Sequence, residues 1–492
     1  MKALFAHARR LAGRALGAAT PLVLARLLSA VLTVCLPLVL ARKLSPSAYG
    51  TFKQFFLVAL TALSIMQLGM SQSLYYFLPR RDDRDRASFL TQTAILLAAV
   101  GAVSAVVLYA TAPRIGAVVG DGSLVGLRLP LALYAALMLA SCALEPALTA
   151  TGRITASAVA LVATDAVRAV ALLVAVTCFS PAALFWAAVL VAAVRVAALW
   201  LLVLTGVLPA QRPSLRAWRR QLVYALPFGG AMIFYIAQRY CAQYLVAARF
   251  DTATFALFTI AAFHLPILTI VFTSTSEVLM VQMARSMPTE PRRALAEWQD
   301  AVGKLAFILF PVACVSWLVA GTLVPLLFTS RYAGAVPLFI LTTFEIPIWI
   351  VPTDALLRTG NDTRFLFSFN IARIFITVGL VLVGMRFFAM GGAIVGTIAS
   401  EAIARAVFLA RGRRFLAATW REVLHLDAIG TIAAACAIAS AAAWASSRLF
   451  ERPIARVCLP AMLFVGAYLA TMAIAGRKHV QLARPRPLGS AA

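Results

Sequence analysis

Apolar runs recur along the whole chain, and short polar connectors separate them. The hydrocarbon core of a bilayer needs about 20 apolar residues per crossing helix, so each run of that length predicts a transmembrane helix. Fourteen spans are predicted, near residues 20–41, 51–77, 89–112, 127–150, 155–178, 183–206, 223–247, 253–283, 302–321, 333–357, 365–386, 391–410, 428–447 and 455–475. The pattern therefore predicts an all-α polytopic membrane protein.

Composition agrees with this prediction and excludes other classes. Of 492 residues, 62% are hydrophobic and 13% are charged, which leaves no room for a soluble catalytic domain. The seven cysteines are isolated, and metal-ligand, nucleophile and nucleotide-binding motifs are absent. We therefore expect no catalytic residues, no metal and no cofactor, and we predict that the protein is not an enzyme.

The net charge of +26 raises nucleic acid as a partner, but its distribution argues against it. Lys and Arg are concentrated in short clusters at every second connector, with no continuous basic face. This is the distribution that orients membrane proteins with their basic loops in the cytoplasm. With an even number of spans, it places both termini in the cytoplasm.

An internal repeat predicts the domain organisation. Residues 44–52 match 250–258 at an offset of 206, and Thr151-Gly152 matches Thr359-Gly360 at an offset of 208. Two duplicated six-span lobes would share one orientation and be related by a pseudo-two-fold axis along the membrane normal. The predicted domains are an amphipathic N-tail (1–19), an N-lobe (20–210), a C-lobe (211–415), two extra C-terminal helices (416–476) and a basic tail (477–492).

Two segments carry a resemblance to a known family. The stretch 41–52, Ala-Arg-Lys-Leu-Ser-Pro-Ser-Ala-Tyr-Gly-Thr-Phe, and the stretch 67–74, Gln-Leu-Gly-Met-Ser-Gln-Ser-Leu, resemble the opening of bacterial polysaccharide-biosynthesis membrane proteins. These are the Wzx-type flippases of the multidrug/oligosaccharidyl-lipid/polysaccharide (MOP) exporter superfamily. The connectors 151–153 and 358–364 fit the same pattern.

The resemblance implies two six-helix lobes around a cavity, followed by two further helices. It also implies alternating access that moves an undecaprenyl-pyrophosphate-linked oligosaccharide, a surface polysaccharide precursor, across the bacterial cytoplasmic membrane. Partners would include membrane lipids, a polysaccharide polymerase and glycosyltransferases. Basic residues of the first helices line the cavity of related flippases; Arg26 is the best match here, whereas Lys53 is only near an equivalent position.

Charges inside the predicted spans need a physical reason, because each costs roughly 2.5–3.5 kcal/mol on insertion scales. The basic ones are Arg26, Lys53, Arg168, Arg195, Arg239, Arg373 and Arg405, and the acidic ones are Glu145, Asp165, Glu277, Glu345, Asp354 and Glu401. Spacing allows Asp165 to pair with Arg168 and Glu401 with Arg405 on one helix face. Glu145 and Asp354 lie near predicted cytoplasmic ends, where their carboxylates could extend to water.

The remaining cations define a candidate head-group site. Arg26 begins a polar stripe in span 1, and Tyr235, Arg239 and Gln243 form a similar stripe in span 7. Guanidinium groups bind phosphate through paired hydrogen bonds, so Arg26 and Arg239 are the first candidates for a pyrophosphate. Arg373 and Lys53 follow. The same stripes are also compatible with ordinary helix packing.

Acidic residues are the candidates for ion coupling, because the sequence has no nucleotide-binding motif to supply energy. Glu277 and Glu345 lie deep in spans 8 and 10, and Asp165 is a third candidate for binding H⁺ or Na⁺. Each could instead be a structural partner of an arginine. His264 could join a proton path or be a packing residue.

Two other functions remain open at this point. A MATE-like exporter of small molecules or drugs would share the architecture, but it would use acidic cavity residues. A non-transporting scaffold could recruit polysaccharide-biosynthesis enzymes through the basic loops 207–221 and 411–427.

Overall fold

The computed structural model describes residues 24–25, 28–78, 83–205, 215–263, 266–447 and 453–480. Every regular element within these ranges is helical, and the chain is a multi-pass α-helical membrane protein. Packing divides the chain into an N-terminal unit that ends at Thr259 and a C-terminal unit that begins at Ile260. The lobe boundary between 210 and 211, which came from the sequence repeat, stays a prediction. The basic tail from 481 onward and the N-tail (1–19) lie outside the described residues.

The N-terminal unit contains ten helices and most of an eleventh within its described part. They are α1 (28–43), α2 (Pro46–Met66), α3 (Met70–Phe77), α4 (Asp83–Val118), α5 (Ser123–Gly126), α6 (Arg128–Ser141), α7 (Leu144–Ala150), α8 (Ile154–Cys178), α9 (Ala183–Leu204), α10 (Leu215–Arg249) and α11 (Thr252–Ala261). Helix α2 begins five residues before the predicted span 51–77, because the Ser45 hydroxyl accepts a hydrogen bond from the Ala48 amide and Pro46 occupies the first turn.

The predicted span 127–150 is a discontinuous helix. Helix α6 ends at Ser141 and α7 begins at Leu144, and the amide of Cys142 bonds the carbonyl of Leu139 in a tighter turn. Pro146 explains the interruption, because it has no N–H to donate to the carbonyl four residues earlier. Glu145 lies beside this break, in the first turn of α7.

The described C-terminal unit continues with long helices and several short ones. They are α12 (Pro266–Ser286), α13 (Pro291–Phe328), α14 (Val336–Thr343), α15 (Thr353–Thr359), α16 (Thr363–Gly412), α17 (Trp420–Leu424), α18 (Leu426–Ser447) and α19 (Pro453–Val480), with 3₁₀ turns at Ser330–Ala335 and Ile346–Ile350. The stretch from α14 to α15 is also discontinuous, since Pro347 and Pro352 each remove a helical hydrogen bond.

Helix α16 is a hairpin of two helices that join at Phe388 and Ala389, whose backbone is not helical. Its halves match the predicted spans 365–386 and 391–410. They pack closely because a Cβ on Gly392 would lie 1.8 Å from the carbonyl oxygen of Gly384, a distance that only glycine allows. The hydroxyls of Thr377 and Ser400 share a hydrogen bond of 2.5 Å between the same halves.

The repeated sequence motifs have the same local structure. The amides of Tyr49 and Phe255 bond the carbonyls of Ser45 and Asp251, which reproduces the offset of 206. In the second motif, Gly152 and Asn361 both have a positive φ, of 80° and 57°. The structural offset there is 209 rather than 208, because Asn361 and not Gly360 adopts the left-handed conformation.

Ten helices within the described residues are long and apolar enough to cross a membrane, or eleven if the bent α10 is one span. The predicted number of fourteen is not confirmed. Residues 20–23 and 26–27 of the first predicted span are outside the described part. The eighth predicted span corresponds to α11 and α12, with residues 264–265 between them undescribed.

Candidate functional site

The first ion pair in the N-terminal unit joins Asp165 and Arg168 on α8. Their closest nitrogen and oxygen are 2.8 Å apart, as the i, i+3 spacing predicts. The Asp165 carboxylate also accepts a hydrogen bond from the Ser29 hydroxyl of α1. Asp165 is buried, so these two partners stabilise its charge inside the unit. This environment is suited to a structural role for Asp165, one of the candidates for ion coupling.

Arg195 of α9 makes a bidentate ion pair with Glu145, at distances of 2.7 and 2.9 Å. Its Nε donates a third hydrogen bond, of 3.3 Å, to the Ser141 hydroxyl. Ser141 ends α6 and Glu145 lies in α7, so a single guanidinium connects the two helices across their break. The proposed extension of Glu145 to water is wrong, because its side chain is only 21% exposed and is paired.

Arg373, Glu401 and Arg405 form a three-residue ion cluster in the C-terminal unit. Arg405 Nε donates to Glu401 at 2.6 Å, as predicted from their spacing, and Arg373 bonds the other carboxylate oxygen. A second nitrogen of Arg405 donates to the carbonyl of Val351, and its guanidinium lies over the Phe272 ring. Arg373, a head-group candidate, is therefore half-buried and paired within its own unit, although it shares the Glu401 carboxylate with Arg405.

The two arginines Arg195 and Arg405 occupy comparable places in the repeat. Each lies on the last helix of its predicted lobe, and each donates to the interrupted span of that lobe, at Glu145 or at Val351. The acceptor differs, since a carboxylate serves in the first unit and a backbone carbonyl in the second. The contacts extend the repeat from sequence motifs to side-chain interactions.

Arg239 differs from these arginines. It is exposed on α10, and its nitrogen lies 3.2 Å from the Tyr235 hydroxyl. Within the part of the chain that is described, no carboxylate is within ion-pairing distance of Arg239. A guanidinium in the middle of a predicted span without a carboxylate requires a visiting anion or water to compensate its charge.

The packing of α10 against α2 shows how far Arg239 is from Lys53. A Cβ on Gly229 would lie 2.5 Å from the carbonyl carbon of Leu68, and the Tyr244 hydroxyl lies 3.5 Å from the carbonyl oxygen of Leu57. This antiparallel register places Arg239 near the level of Thr61, roughly 12 Å along the helix from Lys53. The Lys53 ammonium lies 5.3 Å from the centre of the Tyr49 ring. Lys53 and Arg239 are therefore at two different depths.

The acidic candidates also have different surroundings. Glu345 precedes the 3₁₀ turn of the interrupted span, and its carboxylate accepts a hydrogen bond of 3.2 Å from the Trp349 indole. Glu277 is exposed in the middle of α12 and has no hydrogen bond or ion pair to any described residue. Glu277 is thus more available than Asp165 or Glu345 to bind an ion.

Two candidates lie outside the described residues, Arg26 of the first span and His264. Across the described ranges, no group of three or more His, Cys, Asp and Glu side chains could hold a metal ion. Asp354 is exposed beside Arg358, at 3.8 Å.

Sequence spacing revealed the local ion pairs but missed the long-range ones. Arg195 and Glu145 are 50 positions apart, and Arg373 and Glu401 are 28 apart. The available signal was a charge within an apolar span, together with an opposite charge in the same lobe. Several opposite charges met that condition, so the pattern could not identify the partners.

The helical architecture is similar to that of solved transporters of the MOP exporter superfamily. It resembles the structure described as "Lipid II flippase MurJ, inward closed conformation", with a TM-score of 0.73 and 11% identity over 93% of this chain and 99% of that chain. A multidrug resistance MATE family transporter in an outward-facing conformation has a TM-score of 0.55 and 15% identity over 81% and 95% of the two chains. A MOP superfamily transporter from Pyrococcus furiosus has a TM-score of 0.53 and 16% identity over 82% and 95%.

The family follows from the sequence itself. The chain belongs to the polysaccharide biosynthesis protein family, whose profile matches residues 39–337. No curated protein sequence matches the chain. The resemblance drawn from segments 41–52 and 67–74 is confirmed.

Proposed function

We propose that the protein is a flippase for an undecaprenyl-pyrophosphate-linked oligosaccharide in the bacterial cytoplasmic membrane. The observation that carries this proposal is Arg239, a mid-span guanidinium with a phenol partner and no described carboxylate. Arg168 and Arg195 each pair with a carboxylate of their own, and Arg373 and Arg405 share the carboxylate of Glu401. A cation that is left uncompensated suits a cargo that brings its own negative charge.

The chemistry of the cargo fits this arginine. A pyrophosphate has several negatively charged oxygens, and the guanidinium can bind two of them in parallel. Lys53, roughly 12 Å away along α2, would give a second cationic contact at another depth. The head group would thus encounter Arg239 and Lys53 one after the other as it crosses. Arg26 would belong to the same path, and Arg373 would act less directly because it is already paired with Glu401.

Coupling to H⁺ or Na⁺ would drive alternating access. Glu277 is the first candidate, because its exposed carboxylate has no described partner to displace. Glu345 is second, since it would have to exchange or share its bond with Trp349. Asp165 is third, because ion binding there would compete with Arg168 and Ser29.

Transport of fluorescent lipid-linked oligosaccharide in proteoliposomes tests the proposal. Arg239→Ala removes hydrogen bonds to a charged group worth about 1.5–3 kcal/mol, so the translocation rate should fall roughly 10- to 100-fold. Arg239→Lys should retain part of the rate, because it keeps the charge but loses bidentate geometry. Arg249→Ala is the matched control, an exposed arginine at the end of the same helix. A native rate for Arg239→Ala would refute the head-group assignment.

A further inference from the structure

Helix α13 changes from charged to apolar at one position. Arg292, Arg293, Glu297, Asp300 and Lys304 lie in its first part, and residues 305–328 contain no charged side chain. Those 24 uncharged and mostly apolar residues span about 36 Å, enough for the hydrocarbon core of a bilayer. Lys304 therefore lies at the boundary between head groups and acyl chains.

A second helix has its boundary beside the first. Helix α18 begins at Leu426, directly after His425, and it has no charged side chain after Asp427. The Nδ1 of His425 lies 3.1 Å from the carbonyl oxygen of Gln299 on α13. Two helices thus enter the membrane at the same level, and the contact between their ends forms one wall of a groove at the membrane surface.

This groove has a volume of about 330 Å³ and joins polar and apolar surfaces. Asp300, Lys304 and His425 line its polar end, and Phe307 and Ile308 line the end nearer the hydrocarbon core. Gly303 lies between the two ends beside the His425 ring, where a Cβ would make only an ordinary contact of 3.9 Å. Phe307 and Ile308 both expose more than a third of their surface.

The order of charges along α13 gives the groove a polarity. Asp300 is farthest from the membrane core, Lys304 follows one turn deeper, and the apolar pair Phe307 and Ile308 follows another turn deeper. Asp300 and Lys304 pair at 2.6 Å, yet their side chains remain 58% and 66% exposed. Each therefore has free hydrogen-bonding capacity toward the groove.

We propose that this groove binds a phospholipid whose head group carries a primary ammonium beyond its phosphate, the chemistry of phosphatidylethanolamine. Its ammonium would donate to Asp300, its phosphate would accept from Lys304, and an acyl chain would lie on Phe307 and Ile308. The lipid presents ammonium, phosphate and acyl chain in the same order from water to core as the protein presents their partners. This inference is independent of the proposed cargo.

Other common phospholipids match the groove less well. A phosphatidylglycerol head group has no cation, so its glycerol hydroxyls could give Asp300 only neutral hydrogen bonds, which are weaker than a bond from an ammonium. A phosphatidylcholine head group is a quaternary ammonium without N–H, so it cannot donate a hydrogen bond to the carboxylate. Selectivity should therefore depend on Asp300, and general lipid attraction on Lys304.

The test measures lipids that remain bound to the full-length protein after reconstitution in vesicles of equal phosphatidylethanolamine, phosphatidylglycerol and phosphatidylcholine. Mild extraction followed by mass spectrometry should show phosphatidylethanolamine enriched about fivefold over phosphatidylglycerol, as expected for one exposed charge-assisted contact of about 1 kcal/mol. The double variant Asp300→Lys/Lys304→Asp keeps the ion pair but reverses its polarity. It should lose the enrichment and retain the melting temperature.

A matched control exchanges another exposed i, i+4 pair, Asp354→Arg/Arg358→Asp, which should leave the enrichment unchanged. If the Asp300 and Lys304 exchange prevents folding, Asp300→Asn decides the question, since it should abolish the preference for phosphatidylethanolamine over phosphatidylglycerol. Equal retention of the two lipids by the native protein would overturn the proposal. So would a preference that survives the exchange of Asp300 and Lys304 or the Asp300→Asn change.

Discussion

Replacing Glu145 with Gln removes one charge of the bidentate pair and leaves the shape of the side chain nearly unchanged. Arg195 and Glu145 are 11% and 21% exposed, so the remaining guanidinium would be mostly buried without a counter-ion. Breaking a buried pair from one side costs about 3–5 kcal/mol. The amide oxygen of the new glutamine can still accept one hydrogen bond from Arg195, which offsets about 1 kcal/mol. We expect a net loss of roughly 2–4 kcal/mol in the free energy of unfolding.

A double-mutant cycle isolates this interaction. Glu145→Gln and Arg195→Gln should each destabilise the protein, whereas the double variant should recover about 2 kcal/mol relative to the sum, because no charge is left unpaired. The assay is denaturant unfolding in mixed micelles, followed by tryptophan fluorescence. The control cycle uses Arg421 and Asp427, which are 74% and 71% exposed and should couple by less than about 1 kcal/mol.

The reasoning about Glu145 and Arg195 fails if either single variant is as stable as the native protein. It also fails if the stability losses of the two single variants simply add up in the double variant. Additivity would mean that water already compensates the charges of Glu145 and Arg195. A large coupling in the exposed control pair would show that detergent, not burial, determines the energies.

Two further predictions concern the C-terminal unit. Gly392→Ala should destabilise α16 by about 1–3 kcal/mol, because the new methyl would overlap the Gly384 carbonyl, whereas Gly379→Ala has open space and should be neutral or stabilising in the same unfolding assay. The pKa of Glu422 is lowered to about 2 by the hydrogen bond from the Thr419 amide, then by the Thr419 hydroxyl and Arg292. Since this pKa is below its ordinary value of 4.5, the stabilisation of α17 is complete above about pH 4.5 and lost as pH falls toward 2. Amide hydrogen exchange of α17, corrected for the pH dependence of the intrinsic rates, should show this loss of protection in the native protein and not in Glu422→Gln. Equal pH profiles of the two proteins would contradict the prediction.

Local patterns in the sequence were sufficient for features that depend on neighbouring residues. The pairs Asp165–Arg168 and Glu401–Arg405 follow from helical spacing, and Ser45 and Pro46 mark the start of α2. The hairpin within α16 also matches two predicted spans. In each case the interacting atoms are brought together by the geometry of one helix or one turn.

Features that depend on packing between helices could not be predicted in this way. Arg195 selects Glu145 because α9 packs beside the break between α6 and α7, and hydropathy gives no information on that neighbour. Arg239 was a candidate for head-group contact, but the sequence could not show that Arg239 has no carboxylate partner among the described residues. The repeat offset of 209 likewise depended on which residue of the turn, Gly360 or Asn361, adopts a positive φ.

The arginines at the two interrupted spans have a mechanical consequence for each unit. Arg195 is bonded to both sides of its break, so α6, α7 and α9 cannot slide past one another without losing three hydrogen bonds at once. Arg405 restrains the stretch before α15 through one bond, to the carbonyl of Val351. At these points proline removes a backbone hydrogen bond of the helix, and the hydrogen bonds of the arginine side chain compensate for that loss. Each interrupted helix should therefore move together with the helix that carries its arginine, as one rigid body.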